Sequence, residues 1–270
     1  MSTALATRAD SVSIHPSAIV ARGAELGAGV RIGPWCSVGA NAVIEDGTRL
    51  VSHVVVDGHT VIGPGVVLFP FCTVGLEPQD LKYQGEPTRC EIGARTQIRE
   101  HCTIHRGTVT GRGVTRVGAD CLIMAVAHVA HDCQVGDHVI IANNAVMGGH
   151  VSIADHAVIG GAAALHQFVR IGAHSYIGAG TIITQDVPPF SLIVSERQTR
   201  CFGINKVGLE RHGFSPERIG VIEKAYRYLL RSKLNTSQAV EKMRGTLADS
   251  EDVQSLIRFI ESTTARGLTK

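Results

Sequence analysis

The sequence predicts a parallel β-helix of hexapeptide repeats, and three observations carry the prediction. Aliphatic residues recur at every sixth position, glycine often follows them, and the period fits neither a helix nor a long strand. Stepping by six from Ile14 gives Val20, Leu26, Ile32, Val38, Ile44, Leu50, Val56, Ile62, Leu68 and Val74. After a break the series resumes at Ile92, Ile98 and Ile104. A second break precedes Val117, Ile123, Val129, Val135, Ile141, Met147, Ile153, Ile159, Leu165, Ile171, Ile177 and Ile183. Glycine follows at Gly33, Gly63, Gly136 and Gly172, and a small or β-branched residue often sits four places after the aliphatic. Short strands joined by tight corners suit this pattern, with Gly or Asn expected to take the unusual backbone angles. A chance Gly- and Val-rich sheet would not hold register this long, whereas the hexapeptide β-helix does.

Three hexads close one triangular coil of about 18 residues. Coils are then expected to begin near Ile14, Ile32, Leu50, Leu68, Ile92, Val117, Val135, Ile153 and Ile171. On this count the first interruption, residues 80–91, replaces the third hexad of its coil, and the second, residues 110–116, follows the third hexad of its own. Both loops are expected to leave the prism at or beside one face, and long loops on a rigid scaffold commonly carry function.

The register is expected to stop at Val187-Pro188-Pro189, where the composition turns helical. Ser215-Pro216-Glu217 reads as an N-terminal cap, followed by an apolar stripe of Ile219, Ile222, Tyr226 and Leu229. A second helix is expected from Thr236 or Ser237 through Val240 and Met243, and a third from Ser250 through Val253, Leu256, Ile257 and Ile260. The resulting division is a β-helix domain at 1–190, with a loop at about 76–91, and a helical domain at 191–270. So small a helical domain buries little core alone, so it is expected to pack on the prism or on another subunit.

Composition narrows the function. A formal charge of +2 gives no general electrostatic case for nucleic acid or a membrane surface. No apolar run approaches the roughly 20 residues that span a bilayer. The N-terminus, with Arg8 and Asp10 and no apolar core, does not read as a signal peptide, so the cytoplasm is the expected compartment. Seven cysteines without a CxxC pair read as small buried hydrophobes.

The 13 histidines are more informative. Counted by coils, His105, His131, Gly149-His150 and His166-Gln167 fall in successive third hexads, with His128 at the corner before His131. His131, Gly149 and Gln167 are 18 residues apart, so a column of imidazoles is expected on the face bearing both loops. His15, His53, His59, His138, His156 and His174 read instead as scattered, solvated corner residues. Imidazole clusters suit metal binding or acid–base work. Histidine triplets also occur in γ-class carbonic anhydrases, which use hexapeptide prisms, although the large first loop and the helical tail argue against that class. The acid–base reading needs no metal. His131 is followed by Asp132, which can orient its ring, and a base of this kind can take a sugar hydroxyl's proton as it attacks a thioester. The backbone N–H of Gly149, one coil along, is expected to meet the oxyanion.

Several strings resemble the bacterial UDP-N-acetylglucosamine acyltransferase family. They are Gln79-Asp80-Leu81-Lys82-Tyr83, Gly85-Glu86-Pro87-Thr88, Thr103-Ile104-His105-Arg106-Gly107-Thr108, Ala127-His128-Val129-Ala130-His131-Asp132-Cys133, Ala142-Asn143-Asn144-Ala145, Gly149-His150-Val151, Ala164-Leu165-His166-Gln167-Phe168 and Gln185-Asp186-Val187-Pro188-Pro189. The resemblance reaches Arg211-His212-Gly213-Phe214 and so covers nearly the whole chain. It implies a left-handed β-helix and transfer of an (R)-3-hydroxyacyl group from acyl carrier protein to the 3-OH of UDP-N-acetylglucosamine, opening lipid A synthesis. It also implies a homotrimer with sites between subunits, and no cofactor or metal beyond the carrier protein's phosphopantetheine. By the family pattern His131 is the base and Gly149 holds the oxyanion. Gln79, Asp80, Lys82, His128, His150 and Gln167 meet the sugar nucleotide or the acyl phosphopantetheine, supported by His105 and His166. Asn205 and Arg211 match positions that hold the nucleotide, and bulk near Ala179 limits acyl length. Two departures stand out: Val207 replaces the family's Glu, and His212 replaces its second basic residue. One inserted residue falls in Ser195-Glu196-Arg197-Gln198. The nearest relative reading is an acyltransferase for the 3-amino analogue of the same nucleotide sugar.

Overall fold

The structure, a computed structural model, describes residues 11–194, 200–263 and 267–269. The expectations resting on Arg8 and Asp10 and on the Ser195–Gln198 insertion lie outside the described residues. The chain divides into two compact units, Met1–Asp137 and His138–Lys270.

The first unit is a stretch of parallel β-helix. Strands of mostly two residues alternate with tight corners, and each pairs in parallel with the strand one coil later: Ser13 with Arg31, Ile19 with Ser37, Glu25 with Val43. The stepped aliphatics point inward, so Ile44, Leu50, Ile62, Leu68, Ile98, Ile104 and Ile123 are all under 2 % exposed. The small residues four places later fill the gaps beside them, including Cys36, Ala42, Thr48 and Cys72. All seven cysteines are buried, and burial pushes the Cys102 thiol up to about 11, which suits an inert core residue.

Corner geometry meets the expectation only in part: Gly29, Gly47, Gly65, Gly180 and Asn144 take left-handed angles. The left-handed angles fall mostly on larger residues, among them Trp35, His53, Phe71, His101 and Asp132, whereas Gly33 and Gly63 do not take them. Glycine is needed there for close approach: a Cβ on Gly33 would run into the Val51 carbonyl of the next coil.

The coil count also needs correcting. Val67 pairs with Gln97, thirty residues on instead of eighteen, and Gln97 pairs with Leu122, twenty-five on. Twelve and seven residues are therefore added to complete coils, and no hexad is replaced. Ile92, Val117 and Val135 are not coil starts; they lie on the third face, in line with Ile62. Both insertions leave from one corner, between the second face (Thr73–Leu76, Thr103–His105) and the third (Arg89–Ile92, Val114–Val117). The expectation that both loops share one side of the prism therefore stands, at a corner shifted by one hexad.

The second unit continues the same pattern: Ile140 pairs with Val158, Val146 with Ala164 and Ser152 with Arg170. Pairing does not stop at Pro189. Ser191–Val194 adds in parallel to Tyr176–Ile177, and Arg200–Ile204 returns antiparallel to it. Among the described residues four helices follow: α1 (Lys206–Arg211), α2 (Pro216–Leu230), α3 (Thr236–Thr246) and α4 (Glu251–Glu261). The helices start where expected, with Ser215 accepting from the Arg218 N–H and Ser250 from the Val253 N–H; Asn235, which the sequence did not single out, caps the second of them in a capping box with Gln238. The short α1 was not expected. Helix α2 buries its stripe of Ile219, Ile222, Tyr226 and Leu229. The Tyr226 hydroxyl bonds the Ser191 hydroxyl at 2.6 Å and donates to the Pro189 carbonyl, tying α2 to the last coil. Arg170 joins the buried Asp186 carboxylate at 2.8 Å, donates to the Ser262 hydroxyl at 3.0 Å, and so holds the end of α4.

Candidate active site

At the corner after His128–Val129, Asp132 has φ = 60°, a left-handed angle that Asp tolerates better than most residues. Its carboxylate is fully buried and gathers the second insertion around itself. Oδ2 accepts from the Thr108 N–H at 3.0 Å and the Thr108 hydroxyl at 2.6 Å. Oδ1 accepts from the N–H groups of Arg112 at 2.8 Å and Gly113 at 3.1 Å. Gly111 lies so close that a Cβ there would run into this carboxylate. The Arg112 guanidinium donates to the Asp132 carbonyl at 3.1 Å, and the Asp132 N–H donates to the Thr115 hydroxyl at 2.8 Å.

Asp132 also meets His131, with Nδ1 2.9 Å from Oδ2. An ionised carboxylate only accepts, so Nδ1 carries the hydrogen and Nε2 is left as the basic nitrogen. The His131 side chain is 16 % exposed, enough for a substrate to reach a ring whose orientation is already set. A buried carboxylate held by several donors and in turn holding a reachable imidazole is built for proton transfer.

His105 and His128 lie on the second face beside this pair. The structure places His128 within its strand, where the sequence suggested a corner, and its Nδ1 bonds the Thr103 hydroxyl at 2.7 Å. His105 meets His128 edge-on, with ring centroids 5.0 Å apart. Burial, with help from neighbouring imidazoles and Arg106, pushes His105 down to about 4, and His128 is lowered for the same leading reason. Both rings are thus neutral at pH 7. In the unfolded chain they take a proton near pH 6.5, whereas His105 when folded does so only near 4, so the folded state loses stability as pH falls between those values. Thermal melting is expected to drop across that window, and His105→Asn is expected to flatten the dependence. An unchanged pH profile in the variant would contradict it.

The first insertion carries Gln79, Asp80 and Lys82 near its tip. Gln79 and Lys82 are exposed and Asp80 is half-buried. Asp80 shapes the turn, its carboxylate accepting from the Lys82 N–H and its carbonyl from the Tyr83 N–H, both at 3.0 Å. The root of this loop is braced by Arg106, a residue to which the sequence assigned no role. Arg106 is 9 % exposed and donates to the Tyr83 hydroxyl at 2.8 Å and the Gly75 carbonyl at 2.9 Å. Thr108, Arg112 and Tyr83 were missed with it. Only the resemblance strings, which contain Arg106, Thr108 and Tyr83, could have pointed to them.

The remaining expected residues belong to the second unit. Gly149 is buried and its carbonyl accepts from the Phe168 N–H at 3.1 Å. His150 is half-buried and stacks on Phe168 at 4.4 Å. His166 and Gln167 are exposed and adjacent, the His166 Nδ1 lying 3.1 Å from the Gln167 carbonyl. Asn205 is the N-cap of α1: its amide oxygen accepts from the Gly208 N–H at 3.2 Å and its amide N–H donates to the His174 carbonyl at 3.3 Å. Arg211 is exposed in the last turn of α1, followed by His212, and Ala179 is exposed at a corner. The histidines read as scattered are not isolated. His138, His156 and His174, eighteen residues apart, stack in a ladder with centroids 4.7 and 4.6 Å apart. That spacing was visible in the sequence.

Comparisons with known proteins show the family and the fold. A domain family described as UDP-N-acetylglucosamine O-acyltransferase, domain 2, matches residues 186–269, and the bacterial transferase hexapeptide repeat matches 115–149. The chain is 46% identical over 257 residues to an acyl-[acyl-carrier-protein]–UDP-N-acetylglucosamine O-acyltransferase of Thermodesulfovibrio yellowstonii, covering 95% of this chain and 99% of the relative. It is 47% identical to the equivalent protein of Syntrophobacter fumaroxidans, covering 93% and 98%. Among solved structures, the UDP-N-acetylglucosamine acyltransferase of Francisella novicida superposes with a TM-score of 0.92 at 34% identity, covering 95% of this chain and 93% of that one.

Proposed function

The chain belongs to the acyl-[acyl-carrier-protein]–UDP-N-acetylglucosamine O-acyltransferase family, and we propose that His131 is the general base of its reaction. An (R)-3-hydroxyacyl chain passes from the phosphopantetheine thioester of acyl carrier protein to the 3-OH of UDP-N-acetylglucosamine, the first step of lipid A synthesis. The fold is the left-handed parallel β-helix with a C-terminal helical segment, and residues 1–190 and 191–270 serve as its two functional domains. Family membership favours acyl transfer over the carbonic-anhydrase-like alternative.

The observation that carries the base assignment is the 2.9 Å contact from His131 Nδ1 to the buried Asp132 carboxylate, which leaves Nε2 to work. Nε2 takes the hydroxyl proton as the sugar oxygen attacks the thioester carbonyl. The tetrahedral oxyanion receives the N–H of Gly149, one coil period on in sequence. Collapse of the intermediate breaks the C–S bond, and the imidazolium returns its proton to the departing thiolate.

The polar tip of the first insertion, Gln79, Asp80 and Lys82, together with His128, His150 and Gln167, recognises the nucleotide sugar and the donor arm. His105 and His166 support them, Asn205 and Arg211 hold the nucleotide, and the small Ala179 leaves room for a longer acyl chain. A homotrimer brings these groups together. Exposed Ile19, Trp35, Phe71 and Val126, lying on the second face or at its leading corner, support burial of that side against a second copy. The reading places the enzyme in the cytoplasm, where nucleotide sugars and carrier-bound acyl thioesters meet. Among the described residues no helix is long and apolar enough to cross a membrane.

The test is an acyl-transfer assay offering UDP-N-acetylglucosamine and its 3-amino analogue with 3-hydroxyacyl carrier proteins of several chain lengths. Turnover of the hydroxyl acceptor in preference to the amine is the expected result. Preference for the amine would reassign the acceptor, and no transfer to either would overturn the reading.

A further inference from the structure

In the second unit a cluster of imidazoles lies outside the residues given a role in acyl transfer. His156 and His174 stack face to face at 4.6 Å and 6° on adjacent coils. His212, at the C-terminal end of α1, stands edge-on to both, 4.7 Å from His156 and 5.4 Å from His174. One ring nitrogen from each residue lies within 4.8 Å of the other two. We propose that His156, His174 and His212 form a binding site for a borderline divalent cation of the zinc class, which clamps α1 and the chain after it onto the coils.

Three features support the site. The first is ligand chemistry: neutral imidazole is the commonest protein ligand for such ions. Zinc bonds of about 2.0–2.1 Å in tetrahedral geometry set ligand nitrogens roughly 3.4 Å apart, so the nitrogens need to close by little more than about an ångström, and the near-parallel His156 and His174 rings must rotate about their side-chain torsions to aim their in-plane lone pairs at one ion. The second is an orphaned atom: Nδ1 of His174 is buried and has no hydrogen-bond partner among the described residues. The third is positioning from outside the coils. Phe214 packs edge-on against His174 at 4.9 Å, Arg218 lies over Phe214 at 3.9 Å, and Asp252 holds Arg218 at 2.9 Å. This network fixes the turn that carries His212.

Another stack of rings shows what ordinary corner packing looks like. His53, Phe71 and His101 also stack, at 4.7 and 5.0 Å, but a phenyl ring separates the imidazoles. Among the described ring contacts, only the His156–His174 pair receives a third imidazole from a helix end.

The test uses the full-length protein, stripped with a chelator and titrated with zinc chloride at neutral pH by calorimetry, with metal content measured after gel filtration. One ion per chain is expected, together with a higher melting temperature. His212→Ala, at an exposed position, is expected to weaken binding at least tenfold and abolish the melting shift, and His174→Asn to do the same. His131→Ala is expected to leave both unchanged. Substoichiometric zinc, undiminished affinity in His212→Ala, or loss of the ion in His131→Ala instead would overturn the proposal. The acyl-transfer reading does not depend on any of these outcomes.

Discussion

Replacing His131 with alanine is expected to lower kcat/KM for acyl transfer by about 100- to 10,000-fold, the usual contribution of a positioned general base. The fold is expected to survive. His131 is partly exposed, and its ring makes a bond to Asp132, a residue held independently by Thr108, Arg112 and Gly113. The variant should therefore melt close to the parent and retain its oligomeric state while transfer collapses. Because the base acts as the thioester is attacked, the loss should fall on kcat more than on the acceptor's KM. Full activity in a folded His131→Ala protein would remove His131 from the chemistry.

Asp132 should show two separable effects. In Asp132→Asn the left-handed corner is still accessible, since Asn tolerates φ = 60° nearly as well as Asp. The neutral amide cannot hold the His131 tautomer as a carboxylate does, so kcat is expected to fall by about 100-fold and up to roughly 10,000-fold. The amide oxygen still accepts at one end while its NH2 leaves a backbone N–H such as that of Thr108 without an acceptor, so the loss of stability is expected to be real but smaller than for alanine. Asp132→Ala removes the acceptor altogether. The N–H groups of Thr108, Arg112 and Gly113, gathered at 2.8–3.1 Å, then lose their partner in a buried place. Each buried group left unsatisfied costs about 1–3 kcal/mol, so this variant should melt lower and open the second insertion to proteolysis. Equal stability and activity in the two variants would show that the carboxylate neither orients the ring nor organises the loop.

The acid–base pair was readable before the structure because His131 and Asp132 are adjacent, and the question left open was which way the carboxylate turned. Its contacts with the second insertion were not readable. They depend on seven added residues folding back over one corner, which no local pattern encodes. The cluster around His174 divides in the same way. The eighteen-residue spacing of His138, His156 and His174 is present in the sequence, but His212 comes from beyond the coils, and only the packing of Phe214 and Arg218 brings it there.

By itself the sequence determined the coil and the helix caps. A six-residue aliphatic period permits only one way of burying its apolar side, and Ser215 and Ser250 declare helix starts through local hydrogen bonds. Tertiary structure decided the phase of the coils across the two insertions. A loop of any length between two strands leaves the period on either side intact, so spacing cannot say which face Ile92 and Val117 occupy. Their pairing with Ile62 and Val135 does, because each strand's backbone must find its partners on the coil beside it. That same pairing sets both insertions at one corner, next to His131.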